Sequence, residues 1–158
     1  MKVIAVDPGY DRLGVAVMEL IDGKEFLHYS GCIETNKELS LAKRLKEVGD
    51  GFQTLLATYS PTTAAIETLF FNKNVKTAIG VAQARGIISY LAQVAGCDVY
   101  EFGPQEIKIA VTGNGASDKK SVIEMVHRLV PQAPLKALDD EYDAIAIGVT
   151  CLAHHGRG

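Results

Sequence analysis

The apolar run at residues 2–7, KVIAVD, decides the fold, because the turn signal Pro8-Gly9 follows it directly. A short run of this kind, rich in β-branched residues, is typical of a buried central strand. The next two runs, LGVAVMELI at 13–21 and EFLHYSGCIE at 25–34, are separated by the hairpin signal Asp22-Gly23-Lys24. The three segments predict an antiparallel meander that starts with a buried strand.

The rest of the chain alternates helical and strand patterns, which predicts the α/β class with parallel strands joined by right-handed crossovers. In the helix at 38–59, apolar residues recur every three or four positions. The other segments are strands at 62–67 and 97–102 and helices at 75–95, after Gly103-Pro104, at 117–129 and at 139–155. We therefore expect a mixed five-stranded sheet with helices on both faces, and residues 1–158 forming one domain.

Length and composition exclude several classes of protein. The 158 residues, 47% of them hydrophobic, suit one domain with its own core. No stretch reaches the roughly 20 apolar residues of a membrane span, and Lys2 leads into a strand rather than a signal peptide, so we expect a cytoplasmic protein. Cys32, Cys97 and Cys151 lack the CxxC spacing of a zinc site.

Two carboxylates end two predicted strands. Asp7 follows the first strand and Glu67 the fourth. If these strands are parallel neighbours, both side chains lie at the carboxyl edge of the sheet, where α/β folds place their sites. Two close carboxylates repel each other unless a cation lies between them, which favours a hard divalent metal. The structural alternative for Glu67 is a salt bridge, for example with Arg85.

The last predicted helix opens with four carboxylates in five residues, DDEYD at 139–143. Acidic residues stabilise a helix amino end by typically about 0.3–1 kcal/mol, but four of them exceed capping needs. Asp140 and Asp143 share one helix face, and Asp139 and Asp143 are also compatible, so spacing leaves the choice open. Four carboxylates without a His or Cys cluster describe a Mg²⁺ or Mn²⁺ site, and two such ions suit in-line displacement at phosphorus.

Two lysines begin the helix after the loop GNGASD. Lys119 and Lys120 stand where the helix dipole disfavours positive charge, which indicates an anionic ligand such as phosphate. A Walker phosphate loop is excluded, because Asp118 stands where that motif needs a glycine.

Five motifs in order carry a family resemblance: VIAVDPGYDRLGVAV (3–17), AIETLFFNKN (65–74), QARG (83–86), IKIAVTGNGASDKK (107–120) and DDEYDAIAIG (139–148). Together they resemble the RuvC family of Holliday-junction resolvases. The resemblance implies a ribonuclease H-like fold and a Mg²⁺-dependent, structure-specific DNA endonuclease of recombination and repair. Such an enzyme makes paired symmetric nicks that leave 5′-phosphate and 3′-hydroxyl ends.

The same resemblance assigns roles to residues. It implies two Mg²⁺ ions per site, with Mn²⁺ as an alternative ion, a homodimer on four-way junction DNA, and cooperation with the RuvA–RuvB branch-migration complex. The resemblance makes Asp7, Glu67, Asp140 and Asp143 the metal-binding catalytic residues. It therefore favours Asp140 over Asp139. It gives Lys108 and Lys119 as DNA-binding residues near the scissile phosphate and Phe70 as a residue stacked on a base. Lys73, which extends the loop of Phe70, and Lys120, from its place beside Lys119 at the helix start, are also predicted to bind DNA.

Three rival functions have weaker support. An RNA-processing nuclease of the pre-16S ribosomal RNA type shares the opening at residues 7–17 but lacks its later motifs here. A nucleotide-binding module of the actin and sugar-kinase type needs two domains, whereas this chain has the length of one. A catalytically silent junction-binding protein would not need the complete set of four candidate metal ligands. The net charge of −3 argues against a nucleic-acid partner, but the four candidate metal ligands carry −4 of it and leave the rest of the chain at +1.

Overall fold

The strands form one mixed sheet in the order β3-β2-β1-β4-β5. The computed structural model describes residues 1–68 and 75–156. Within these ranges the elements are β1 (Lys2–Asp7), β2 (Arg12–Ile21), β3 (Lys24–Glu34), α1 (Leu41–Tyr59), β4 (Thr63–Glu67), α2 (Val75–Val94), β5 (Asp98–Phe102), α3 (Pro104–Thr112), α4 (Lys119–Leu129) and α5 (Asp139–His155).

Strand β1 lies in the centre of the sheet, as its apolar pattern predicts. It pairs antiparallel with β2 and parallel with β4, while β3 extends the antiparallel side and β5 the parallel side. A tight turn at Asp22-Gly23, both with positive φ, joins β2 to β3, and Lys24 already pairs with Ile21. This is the geometry that Asp-Gly favours in a two-residue hairpin.

Side chains of β1 alternate between two hydrophobic cores. Val3 and Ala5 face a core that includes most of α5 together with residues of α3 and α4. Ile4 and Val6 face the opposite core, which is closed by α1 and α2. Helices thus cover both faces of the sheet, which confirms the predicted architecture.

Two glycines allow helix α1 to pack closely against α2 and β3. A Cβ at Gly49 would lie 3.2 Å from Ile87 Cγ2 of α2, and one at Gly51 would lie 3.0 Å from Ile33 of β3. Among the described residues, no helix is long and apolar enough to cross a membrane.

Two helices begin later than the periodicity predicts. Helix α1 begins at Leu41 rather than residue 38, because Ser40 still has an extended backbone. Helix α4 begins at Lys119 because Asp118 is its N-cap and accepts a 2.8 Å hydrogen bond from the Ser121 amide.

Candidate active site at the carboxyl ends of β1 and β4

The parallel pairing of β1 and β4 brings Asp7 and Glu67 to one edge of the sheet. Val6 is the register partner of Ile66, and each carboxylate is the next residue of its strand. Both strands are fully buried up to these residues, since their apolar side chains fill the cores on both faces. The pairing of the two strands therefore places both carboxylates at the same edge of the sheet, as predicted.

Helix α5 brings its first turn against the same edge, because β2 carries a glycine there. Gly14 is the register partner of Asp7 across β1 and β2. A Cβ at Gly14 would lie only 1.9 Å from the main-chain oxygen of Asp140. Any side chain at this position would push the start of α5 away, so Gly14 sets the distance between Asp140 and Asp7.

The carboxylates interact as one set. Burial raises the pKa of Asp7 to about 8, with contributions from three neighbouring carboxylates. Those neighbours are Glu67, Asp143 and Asp140, in decreasing order of effect. Burial also raises the pKa of Glu67, and the charge of Asp143 adds to that rise. A site that holds several carboxylates in a poorly hydrated edge favours the arrival of a cation.

Asp140 and Asp139 have different surroundings, which separates the two alternatives that spacing leaves open. The Asp140 side chain is 28% exposed and acts on the buried Asp7. The Asp139 side chain is 65% exposed and lies 3.4 Å from Lys119 Nζ. The structure therefore gathers Asp140, rather than Asp139, around Asp7.

Lys119 forms a salt bridge with Asp143. Its Nζ donates a 2.8 Å hydrogen bond to Asp143 Oδ2. Burial by itself would lower the pKa of Lys119, and the contacts with Asp143 and Asp139 outweigh it and raise that pKa. Burial raises the pKa of Asp143, against the lowering effect of Lys119.

A cavity of about 230 Å³ opens beside these residues. Its polar wall consists of Glu67, Lys108, Lys119 and Asp143. Its apolar wall consists of Pro104, Ile107, Val122, Ala146 and Ile147. Lys108 also lowers the pKa of Glu67, opposing the larger effect of burial. The cavity thus places two cationic side chains beside two of the carboxylates, an arrangement suited to an anionic group.

Of the predicted DNA-binding residues, one lies away from this cavity and two are not among the residues that the structure describes. Lys120 is on the exposed side of α4 and does not line the cavity. Phe70 and Lys73 fall in residues 69–74, outside the described residues, so their predicted roles stay predictions. The alternative of a salt bridge between Glu67 and Arg85 is wrong, because Arg85 forms its salt bridge with Glu101 of β5.

The side chains fit a hard divalent cation by their chemistry. Carboxylate oxygens are the ligands that Mg²⁺ and Mn²⁺ prefer, and a cation would relieve the repulsion that raises the pKa of Asp7. The buried Asp140 Oδ2 has the guanidinium of Arg12 as its neighbour, at 3.0 Å. As the described side chains lie, no three of them converge closely enough to hold an ion, so binding requires side-chain adjustment.

Sequence reasoning missed two residues of the site. Gly14 could have been found from its place inside a strand pattern, where glycine often marks a close approach of another backbone. Arg12 lies 3.0 Å from Asp140 through its Nη2 atom. A single charged residue at the start of β2 gives no such signal, because its partner comes from the far end of the sequence.

This sheet order, with acidic residues at the carboxyl ends of the two central parallel strands and at the start of a facing helix, defines a nuclease of the ribonuclease H-like fold. The sequence profile of the family described as "Crossover junction endodeoxyribonuclease RuvC" matches residues 3–151. The chain therefore belongs to the RuvC family of crossover junction endodeoxyribonucleases. This confirms the family and the fold that the five sequence motifs indicate.

Similarity to individual members extends over the whole chain. A crossover junction endodeoxyribonuclease RuvC of Thermosipho melanesiensis is 46% identical over 158 residues, which cover 99% of each chain. The structure of Thermus thermophilus RuvC is 27% identical with a TM-score of 0.88, over 99% of this chain and 97% of that one. The same protein in complex with a Holliday junction substrate is 28% identical with a TM-score of 0.91, over 99% and 95%.

Proposed function

We propose that this protein is a divalent-metal-dependent, structure-specific DNA endonuclease that resolves Holliday junctions in homologous recombination and repair. It makes paired symmetric nicks that leave 5′-phosphate and 3′-hydroxyl ends. The observation that carries the proposal is the grouping of carboxylates from β4 and α5 near Asp7 of β1, whose pKa they raise, in a chain of the RuvC family. A RuvC-family chain with all four candidate carboxylates is better explained as a junction resolvase than as an RNA-processing nuclease or a catalytically silent junction-binding protein.

The metal ligands in this proposal are Asp7, Glu67, Asp140 and Asp143. Together they hold two Mg²⁺ ions, with Mn²⁺ as an alternative ion. When bound, such ions neutralise charge at phosphorus and lower the pKa of water. The protein's own part is to orient the carboxylates, which the packing of β1, β4 and α5 achieves by holding the half-buried Asp7 beside the start of α5.

Two lysines of the cavity are proposed to hold the scissile phosphate. Lys108 and Lys119 face the carboxylates across the cavity and carry the charge that a phosphodiester needs. When DNA phosphate competes for Lys119, its contact with Asp143 is exchanged for a contact with substrate. By family resemblance, Phe70 stacks on a base near the crossover. Lys73 and Lys120, which lie close to Phe70 and Lys119 in the sequence, contact the DNA backbone.

A homodimer is proposed through the outer face of α1 and α2. The groove between these helices includes Leu45, Ile87 and Leu91. Tyr90 and Val94 of α2 are 68% and 66% exposed, which is unusual for large apolar side chains on neighbouring turns. A two-fold dimer through this face gives two sites that cut two symmetric strands of one junction.

Two further assignments rest on the family alone. Cooperation with a RuvA–RuvB branch-migration complex is expected for a resolvase that acts on migrating junctions. The cytoplasm is the expected location, since the proposed substrate is the cell's DNA.

The central experiment is cleavage of a synthetic mobile four-way junction, compared with linear duplex DNA and with an RNA hairpin, in Mg²⁺ and in EDTA. The expected result is paired nicking of the junction only, and only with the metal. Asp7→Asn should abolish nicking and keep the junction binding that wild type has in EDTA, because a metal ligand is lost while the DNA-facing surface is unchanged. Metal-independent cutting, or equal cutting of the RNA, would contradict the proposal.

The neighbouring aspartates of α5 offer a matched control. Asp140→Asn should lower the nicking rate more than about 100-fold, since even outer partners of metal ligands cost about 10–100-fold when removed. Asp139→Asn changes the same chemical group one residue away, at a side chain that is 65% exposed, and should keep most of the activity. Equal losses in the two variants would contradict the assignment of Asp140.

The dimer is tested by sedimentation equilibrium. Tyr90→Asp should shift the protein toward monomer and reduce paired nicking to single nicks. Leu135→Asp is the control, because Leu135 is 90% exposed in a loop away from the α1 and α2 face. A monomeric wild-type protein, or a dimer unaffected by Tyr90→Asp, would reject this interface.

A further inference from the structure

Arg12 is a cationic side chain at the mouth of the site that the family resemblance does not assign. It is the first residue of β2 and stands two residues before Gly14, the register partner of Asp7. Its Nη2 atom lies 3.0 Å from Asp140 Oδ2. Lys119 contacts Asp143 from α4, so each of the two candidate ligands on α5 has a cation from a different element.

The contact between Arg12 and Asp140 is a half-exposed ion pair. Asp140 Oδ2 is buried and lies 3.0 Å from Arg12 Nη2. The Arg12 side chain is 44% exposed. One carboxylate oxygen therefore holds Arg12 here, and most of its donors remain available to a ligand in solvent.

Arg44 shows what a structural arginine looks like in the same protein. Its side chain is 11% exposed and pairs with Asp11. Its Nε donates a 2.9 Å hydrogen bond to Thr35 Oγ1, and its guanidinium lies over the ring of Tyr10 at 5.1 Å. Arg12 also pairs with a carboxylate, but its side chain is 44% exposed, and among the described residues it has neither a hydroxyl partner nor an aromatic ring beneath its guanidinium, so packing does not fix it as it fixes Arg44.

We propose that Arg12 is a DNA-phosphate contact that leaves Asp140 when this carboxylate takes a divalent cation. The inference rests on the proposed function, because it takes Asp140 as a metal ligand. A cation at Asp140 competes with Arg12 for the same oxygen and repels the guanidinium. A backbone phosphate of the bound junction is the anion within reach at the mouth of the site, and the planar guanidinium suits bidentate phosphate binding.

The test is junction binding measured by fluorescence anisotropy in Ca²⁺ and in EDTA across a salt series, on strands shown by denaturing gel to stay intact. In Ca²⁺, Arg12→Ala should weaken binding about eightfold at 0.1 M salt and reduce the salt slope by about 0.9, the effect of one phosphate contact. In EDTA the same variant should bind as wild type does, because Arg12 then stays on Asp140.

Two variants serve as controls. Arg12→Lys keeps the charge and should restore most of the salt slope. Arg128→Ala removes an exposed arginine from α4 beside the β2–β3 hairpin, at the other end of the sheet, and should change neither slope. An Arg12→Ala slope equal to that of wild type in Ca²⁺ would overturn the proposal.

Metal binding without DNA gives a second, independent readout. Mn²⁺ titrations followed by electron paramagnetic resonance should show several-fold tighter binding by Arg12→Ala, because a competing cation has been removed from Asp140. Weaker Mn²⁺ binding would mean that Arg12 only holds Asp140 in place, and would overturn the proposal. If wild type shows no metal-dependent nicking of the junction, the proposed function itself fails. If wild type behaves as proposed and Arg12→Ala matches it, only this inference fails.

Discussion

Replacing Asp7 by asparagine should stabilise the protein when no divalent metal is present. The pKa of Asp7 is raised from 3.8 to about 8, chiefly by burial and then by neighbouring carboxylates. Between those two pH values the folded protein keeps a proton that the unfolded chain has released. Stability therefore falls as pH rises through this window, and asparagine, which has nearly the same shape and does not titrate, removes that loss.

The size of the effect follows from the width of the window. One proton of difference between folded and unfolded states changes stability by about 1.4 kcal/mol per pH unit. From pH 5 to pH 7.5, Asp7 should therefore cost wild type about 3 kcal/mol that Asp7→Asn does not lose. For a chain of this length, 3 kcal/mol corresponds to about 6–12 °C in Tm. Glu67 and Asp143, whose pKa values are also raised, leave both proteins with a smaller shared pH dependence.

The assay is urea unfolding in EDTA at pH 5, 6.5 and 7.5, repeated in excess Mg²⁺. In EDTA, the free energy of unfolding of Asp7→Asn should increase relative to that of wild type as pH rises. In Mg²⁺ at 100 times its Kd, wild type should regain about 2.7 kcal/mol of stability, and the variant should not. Asp22→Asn, at the exposed hairpin tip, should follow wild type throughout. Parallel pH dependences for Asp7→Asn and wild type in EDTA would refute the account of Asp7 as a buried carboxylate among like charges.

Three further substitutions test the surroundings of the site. Gly14→Ala places a Cβ 1.9 Å from the Asp140 carbonyl oxygen and should cost about 1–3 kcal/mol in urea unfolding, with a large loss of nicking as α5 shifts. Lys119→Ala should slow nicking and reduce the salt slope of junction binding by about 1, and an unchanged slope would make it a surface residue. Tyr142→Phe removes a 2.7 Å hydrogen bond donated to the Pro134 carbonyl and should cost about 1 kcal/mol while nicking continues, so lost activity would reveal an unrecognised role.

Much of the fold follows from local sequence. The apolar run before Pro8-Gly9, the Asp22-Gly23 turn and the periodic helices each have a physical cause within a few residues. The observed α5 spans residues 139–155 as predicted, because its acidic opening and apolar body mark both ends. Helix starts at 41 and 119 were harder to predict, because they depend on the backbone conformation of single cap residues.

The site could be predicted only in part, for a reason of geometry. Strand periodicity and parallel pairing bring Asp7 and Glu67 together, but the rotation of α5 about its axis decides whether Asp139 or Asp140 faces them. That rotation is set by packing of α5 on β1 and β2, including the close approach at Gly14, which no local pattern encodes. The pairing of Arg12 with Asp140 depends on the same packing, so it too was invisible in the sequence.

The net charge of −3 does not conflict with DNA binding, because the acidic residues of the site are arranged by environment. Asp7 is half-buried and forms no salt bridge with the described residues, and burial and neighbouring carboxylates raise its pKa to about 8. The aspartates of α5 lie at a helix amino end, where the dipole favours negative charge, and each has a cationic partner in Lys119 or Arg12. On the proposed function, a divalent cation would gain most at Asp7, and its arrival would free the two cationic side chains to contact phosphate. Metal and DNA should then bind with positive coupling, which net charge alone would never indicate.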